Sequence, residues 1–340
     1  MDFLFDIGLF GSKALILVVA IGGLLILFFS LVMKARQSKP LLNVENLNEK
    51  FDMMGRTLKS SVFDEKTLKA EKKARKKKKK AEKGKTEEKK RIYVLDFTGD
   101  IRASHLENLR EEVTSLLTVV RPDKDEVVIR LESPGGMVHS YGLAAAQLVR
   151  LRSAGIFLTV CVDKVAASGG YMMACTANKI LSAPFAIIGS IGVVAQVPNF
   201  HRLLKKHDVD FEEITAGEFK RTVSLFGEIT EKGKRKFLDQ IEETHGLFKD
   251  FVGTYRPQLD LKQVATGEYW FGERAKDLNL VDEIAASDDY LFRQREEALI
   301  YKIDIQARKK LSEKLAENIA SLVSDTLLQT IARSEGSRWP

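Results

Sequence analysis

From Ala14 to Met33 the chain reads ALILVVAIGGLLILFFSLVM, twenty positions without a charge. At 1.5 Å per residue a helix of that length spans about 30 Å, the thickness of a bilayer core. A cleaved leader would start basic and end in a small-residue cleavage site. Here Asp2 and Asp6 precede the run, with Lys13 the only base before it, and Lys34 ends it with no A-x-A pattern. The pattern predicts a retained transmembrane anchor over 14–33, after a short segment 1–13.

The polarity changes again at Arg91. Ile92–Phe97 (IYVLDF) reads as a strand, followed by an amphipathic helix with His105, Leu109 and Val113 near one face. Glu126–Leu131 is a second strand, closed by the turn Ser133-Pro134-Gly135-Gly136. A helix around Tyr141–Arg152, a strand over Ile156–Val162 and a short apolar helix opening at Ser168-Gly169-Gly170 come next. Strand, crossover helix, strand predicts an α/β class with a largely parallel sheet buried on both faces. Further on, Phe211–Thr215 reads as a strand, Glu231–Thr254 as a long helix, and Phe271–Ile284 as a helix leading into a last strand. The apolar run Phe185–Val197 is too short to span a bilayer and reads as buried core. The expected organisation is a lysine-rich, disordered linker over 34–91, a catalytic α/β domain over 92–290, and a helical arm or tail over 291–340.

Charge sharpens the linker. Between Lys66 and Arg91 fifteen Lys/Arg stand against four Glu, so this stretch carries +11 and the rest of the chain −4 of a net +7. The basicity belongs to one segment and not to the folded body. With no aromatics interleaved to stack bases, nucleic acid is not the expected partner. The run reads first as a solvated, disordered linker, which could rest on anionic lipid at about 1 kcal/mol per charge near the surface. Lys34, Arg36 and Lys39 after the apolar run put its C-terminal side in the cytoplasm on the positive-inside rule. Two cysteines, Cys161 and Cys175, are too few for a disulfide scaffold or a cysteine-rich zinc site, and no metal or cofactor is expected.

Two turns could serve acyl transfer. Ser133–Gly136 follows a strand and frees backbone N–H groups that can hold an oxyanion. Ser168 sits at a strand-to-helix turn before two glycines, which let a substrate backbone approach. A nucleophilic serine needs a base. His139 and His201 have no evident carboxylate orienter. Lys220, in Thr215-Ala-Gly-Glu-Phe-Lys220-Arg221, could act if burial depressed its pKa.

The apolar run, Ser133–Gly136, Ala167-Ser168-Gly169-Gly170-Tyr171, Ile188–Val193, Phe219–Thr222 and Ala275–Asp282 occur in one order. In that order and spacing the chain resembles the signal peptide peptidase (SppA) family of serine proteases, and among them the short membrane-anchored members. The resemblance implies a Clp/crotonase-like α/β spiral with a Ser-Lys dyad. The nucleophile falls on Ser168 and the general base on Lys220, 52 residues later. The oxyanion donors fall on Gly135 with its neighbour Gly136, and on Ser168 or its follower Gly169. Ser190 matches a serine that orients the lysine. The resemblance also implies homo-oligomers in which serine and lysine can come from neighbouring subunits, and extended apolar peptide substrates such as signal-peptide remnants. It implies a bacterial inner-membrane location with a periplasmic catalytic domain, against the charge pattern above. A non-proteolytic membrane scaffold binding a partner through the basic segment, and a crotonase-like acyl-CoA enzyme, are the competing readings. Only a peptidase needs Ser168 as a nucleophile.

Overall fold

The computed structural model describes residues 21–23, 41–82 and 89–306. The chain divides into a body, Val44–Asp304, and a second unit made of 1–43 with 305–340. In that second unit only 21–23, 41–43, 305 and 306 are described, so the predicted anchor lies almost wholly outside the described residues. Among the described residues no helix is long and apolar enough to cross a membrane.

The body is α/β. The centre of its main sheet is formed by β2 (Lys90–Thr98), β3 (Glu126–Glu132), β4 (Phe157–Val162) and β6 (Lys179–Ser182), each parallel to the next. Beyond β6 lies β9 (Glu283–Ile284), and beyond β2 lie β10 (Ala298–Gln306) and then β1 (Leu41–Asn46). Val127, Val128, Ile129, Leu158, Val160 and Cys161 are all fully buried. Such unbroken burial is what a parallel sheet covered on both faces requires. Crossover helices α3 (Leu106–Leu117) and α4 (Val138–Ser153) join the strands. A second, three-stranded sheet stands at the carboxyl end of β4, built from β5 (Val165–Ala167), β7 (Ile187–Gly189) and β8 (Tyr269–Phe271) in that order. In it β5 and β7 run parallel, and β7 and β8 antiparallel.

Four segments differ from the sequence expectation. The supposed linker is built in part: β1, α1 (Leu47–Val62) and α2 (Glu65–Glu82) occupy it. The Asn46 side chain caps α1 by accepting from Glu49 N–H, and Asn48 Nδ2 donates to the carbonyls of Arg295 and Ala298 at 3.0 Å each. Phe51 meets the ring of Phe292 edge-on at 5.8 Å. Lysine, alanine and glutamate are good helix formers, so a basic run that reads as a linker is also a competent helix.

The expected tail contains β10, parallel to β2 from Ala298↔Lys90 to Lys302↔Val94. Its alternation of apolar with charged residues hid it inside a charged stretch. Phe211–Thr215 lies in neither helix nor strand, because the whole stretch between α6 (His201–Lys206) and α7 (Glu231–Tyr255) is irregular. The run Phe185–Val197 is core only in its first half: Ala186, Ile188 and Ile191 are buried while Phe185 and Val194 are more than 80% exposed.

Candidate active site

The two glycine turns meet at the carboxyl ends of the parallel strands, where open α/β sheets bind ligands. Beyond β3 the chain forms Ser133–Gly136, and the Ser133 N–H and carbonyl bond Val165 and Ala167 of β5 at 2.8 and 3.0 Å. Beyond β5 it turns through Ser168 into α5 (Gly169–Ala174). A Cβ placed on Gly135, whose φ is +90°, would stand 2.7 Å from both Ser168 Cβ and Gly169 N. Only glycine fits there, and its absent side chain is what lets the turns touch.

Ser168 itself has φ 52° and ψ −120°, a conformation costly for a residue with a Cβ. The surroundings hold it there. Ser168 N–H donates to Gly189 O at 2.8 Å, and its carbonyl accepts from Met172 N–H at 3.0 Å. Its hydroxyl does not cap α5. Ala167 pairs with Gly189 across β5 and β7, so Ser190 follows directly on the residue that holds Ser168. Ser190 is also at positive φ, 52°, with its N–H on Glu268 O at 2.7 Å. A small cleft at Ser168 is lined further by Gly136, Gly169, Met172, Val193 and Phe248.

Of the expected oxyanion donors, one is already engaged: Gly135 N–H bonds the buried Ser133 Oγ at 3.1 Å. The N–H groups of Gly136 and Gly169 make no hydrogen bond among the described residues. Gly169 opens α5, where first-turn N–H groups have no helical acceptor. The available pair is therefore Gly136 with Gly169.

Lys220 is not in this cluster. It is exposed in the irregular segment, its N–H on Gly217 O at 3.1 Å, and it does not line the Ser168 cleft. His139 is exposed on the first turn of α4, and His201 sits against Phe226 O. Neither histidine bonds Ser168 among the described residues. Cys161 and Cys175 are buried, and burial pushes both thiols well above their ordinary range, so they stay inert. No metal-binding cluster occurs among the described residues.

The closing motif Ala275–Asp282 turns out to brace the site from behind. Asp282 takes a bidentate bond from the buried Arg256, just past the end of α7, at 2.8 and 2.9 Å and a third from Ile180 N–H at 2.7 Å. Tyr171 of α5, fully buried, donates to Leu280 O at 2.9 Å. Tyr141 was missed by the sequence reading. It is wholly buried beside both turns, and a tyrosine in so apolar a place needs a hydrogen-bond partner, which the neighbouring Ser133 supplies.

A strained serine at a strand-to-helix turn, with two unengaged backbone donors beside it, is an arrangement that acyl transfer could use on an α/β frame. The chain belongs to peptidase family S49: residues 2–148 match the model described as Peptidase family S49 N-terminal, and residues 150–300 match Peptidase family S49. It is a serine peptidase of that family, whose members use a Ser-Lys dyad. It is 53% identical over 312 residues to the probable protease SohB of Haemophilus influenzae, covering 88% of this chain and 87% of that one. A probable protease SohB of Buchnera aphidicola is also 53% identical, over 241 residues and 71% of each chain. Among solved structures, a mutant of a membrane-bound stomatin-specific protease in complex with a substrate peptide aligns with TM-score 0.42 at 13% identity, over 67% of this chain and 99% of that one.

Proposed function

We propose that this peptidase is a membrane-anchored endopeptidase with Ser168 as nucleophile and Lys220 as general base, working on a Clp/crotonase-like spiral. The observation that carries the reading is Ser168 itself, held at φ 52° with its hydroxyl uncommitted to the helix and the free N–H groups of Gly136 and Gly169 beside it. Neutral Lys220 takes the Ser168 proton as Oγ attacks the substrate carbonyl. The carbonyl oxygen becomes an oxyanion between Gly136 and Gly169. The lysinium then protonates the departing amine, and water releases the acyl group by the same steps reversed. Ser190, next in chain to the residue that holds Ser168, orients the lysine.

Lys220 reaches Ser168 from a neighbouring copy. What supports this is the apolar surface around it. Phe200, Leu203, Phe211, Ile214, Phe219 and Leu225 are exposed in the isolated chain, Ile214 to 94%. An apolar patch of that kind marks an interaction face. Covering it would also remove Lys220 from water, which favours the neutral amine a base requires.

The substrates are extended apolar peptides, such as signal-peptide remnants or membrane-proximal proteins, and the location is the bacterial inner membrane. The apolar run 14–33 supports the anchor, and the basic segment supports contact with anionic lipid. Protease digestion of spheroplasts separates a periplasmic body, which is cut, from a cytoplasmic one, which is protected.

The dyad is tested with the full chain in detergent and a quenched apolar peptide. Ser168→Ala and Lys220→Ala each lose at least about 10³-fold in turnover while remaining folded oligomers. Mixing and reassembling the two inactive variants restores part of the rate, because some interfaces then combine an intact Ser168 with an intact Lys220. Full activity of Lys220→Ala would overturn the assignment of the base, and no recovery on mixing would place the dyad within one chain.

A further inference from the structure

We propose that Tyr141 is the positioning residue of the oxyanion site, with its hydroxyl setting the Ser133–Gly136 turn and its ring setting Gly169. The inference rests on the reading of Ser168 as nucleophile.

The hydrogen-bond directions follow from donor and acceptor counts. Tyr141 Oη is 2.7 Å from the carbonyl of Asp100, which can only accept, so the single phenolic proton goes there. Ser133 Oγ, 2.6 Å from Tyr141 Oη, must then be the donor in that contact. Ser133 Oγ in turn accepts the N–H of Gly135 at 3.1 Å. The result is one directed chain: Gly135 N–H to Ser133 Oγ, Ser133 O–H to Tyr141 Oη, Tyr141 O–H to Asp100 O. Engaging the Gly135 N–H fixes the turn whose next amide, Gly136, carries a free N–H.

The ring does the second half. A Cβ on Gly169 would lie 2.4 Å from Tyr141 Cγ and 2.7 Å from its Cβ, so the side chain is seated against the Gly169 backbone. On the hydroxyl side the fit is as close. A Cβ on Gly99 would come within 2.4 Å of Tyr141 Oη and 2.5 Å of Ser133 Oγ. Both donor loops thus bear on one fully buried side chain. Burial also raises the phenol above its ordinary value, so it stays protonated throughout the working range of a peptidase. Tyr141 therefore holds geometry and transfers no proton.

The test uses the full chain and four variants: Tyr141→Phe, Ser133→Ala, the double variant, and Ser168→Ala in parallel. Folding and assembly are checked by thermal melting and size exclusion. Tyr141→Phe keeps the ring and removes the hydroxyl. It should lower kcat about tenfold to a hundredfold, less than the roughly 10²–10³ of losing a donor outright, with KM within about twofold. Affinity for a peptide aldehyde should fall in parallel with kcat, because its hemiacetal with Ser168 puts an oxygen in the oxyanion position. The pH profile should drop in height and keep its midpoint. Ser133→Ala should behave alike, and the double variant should be no worse than the poorer single one, since both break the same chain.

A folded Tyr141→Phe with full kcat overturns the inference, as does a double variant whose losses multiply. If Tyr141→Phe does not fold, Ser133→Ala decides, and unchanged kcat there overturns it. Turnover retained by Ser168→Ala would remove the nucleophile beneath the inference. An inactive Ser168→Ala beside a fully active Tyr141→Phe removes the inference alone.

Discussion

The two residues of the proposed dyad live in opposite surroundings. Ser168 is fixed by bonds to Gly189 and Met172, abutted by Gly135, and backed by the buried α5. Lys220 stands in an irregular, exposed stretch whose own apolar side chains face outward. The contrast teaches where each kind of order comes from. A positive φ at a non-glycine residue persists only when neighbours over-determine it, so the nucleophile needs a finished core. An exposed apolar segment acquires its order from whatever covers it, and among the described residues that cover is thin: Lys232 and Lys236 lie over the Phe219 ring, and Phe226 packs against Phe200 and Phe211.

The largest effect expected from breaking the rigid side comes at its brace. Asp282→Ala leaves the buried Arg256 guanidinium without its bidentate partner and should cost about 3–5 kcal/mol. Urea unfolding measures the loss. Gly169→Ala comes next. Its Cβ would strike the Tyr141 ring at 2.4 Å, an overpacking expected to cost about 1–3 kcal/mol. Peptide turnover should fall with it, because the added methyl pushes apart the groups that line the Ser168 cleft.

A smaller, pH-dependent effect belongs to Asp125 at the start of β3. Burial opposes its ionisation, but hydrogen bonds from the Arg121 side chain and from the N–H groups of Arg121 and Arg91 outweigh burial and hold the carboxyl below its ordinary value. A depressed folded pKa gives stability that is full above the unfolded value, about 3.9, and is lost as pH falls through the folded one. The melting temperature of the wild type should therefore exceed that of Asp125→Asn at neutral pH, and the gap should close below about pH 4.

The smallest change in stability is expected on the other side of the comparison. Ile214→Ser alters a side chain that is 94% exposed and should shift chain stability by no more than about 0.5 kcal/mol. On size exclusion it should nevertheless weaken assembly, and turnover should fall with assembly. An oligomer unaffected by Ile214→Ser would remove this residue from the interface.

Much of this architecture was legible because it is written locally. The apolar strands β2, β3 and β4 and the intervening helices announce themselves by run length and period, whereas Ser168 with its glycines is locally no more than a helix start and stands out only through its place in the ordered series of motifs. Misreadings cluster where local signals were mixed. Ala298–Gln306 alternates within a charged stretch, and Leu47 and Phe51 lie just ahead of a lysine run. In Phe211–Thr215 a strand-like composition has no neighbouring strand to pair with.

The sequence by itself determined the class of fold, the nucleophile candidate and the two turns that must meet it, because each is a pattern along the chain, within a few consecutive residues or in the order of the motifs. Tertiary structure alone decided which amides remain free to bind an oxyanion. Gly135 and Gly136 are equivalent in the sequence, yet the N–H of one is taken by Ser133, whose hydroxyl is committed to Tyr141, whose own proton goes to a carbonyl 41 residues away. A hydrogen bond has one proton to give, so which donor is spent depends on every partner folded around it.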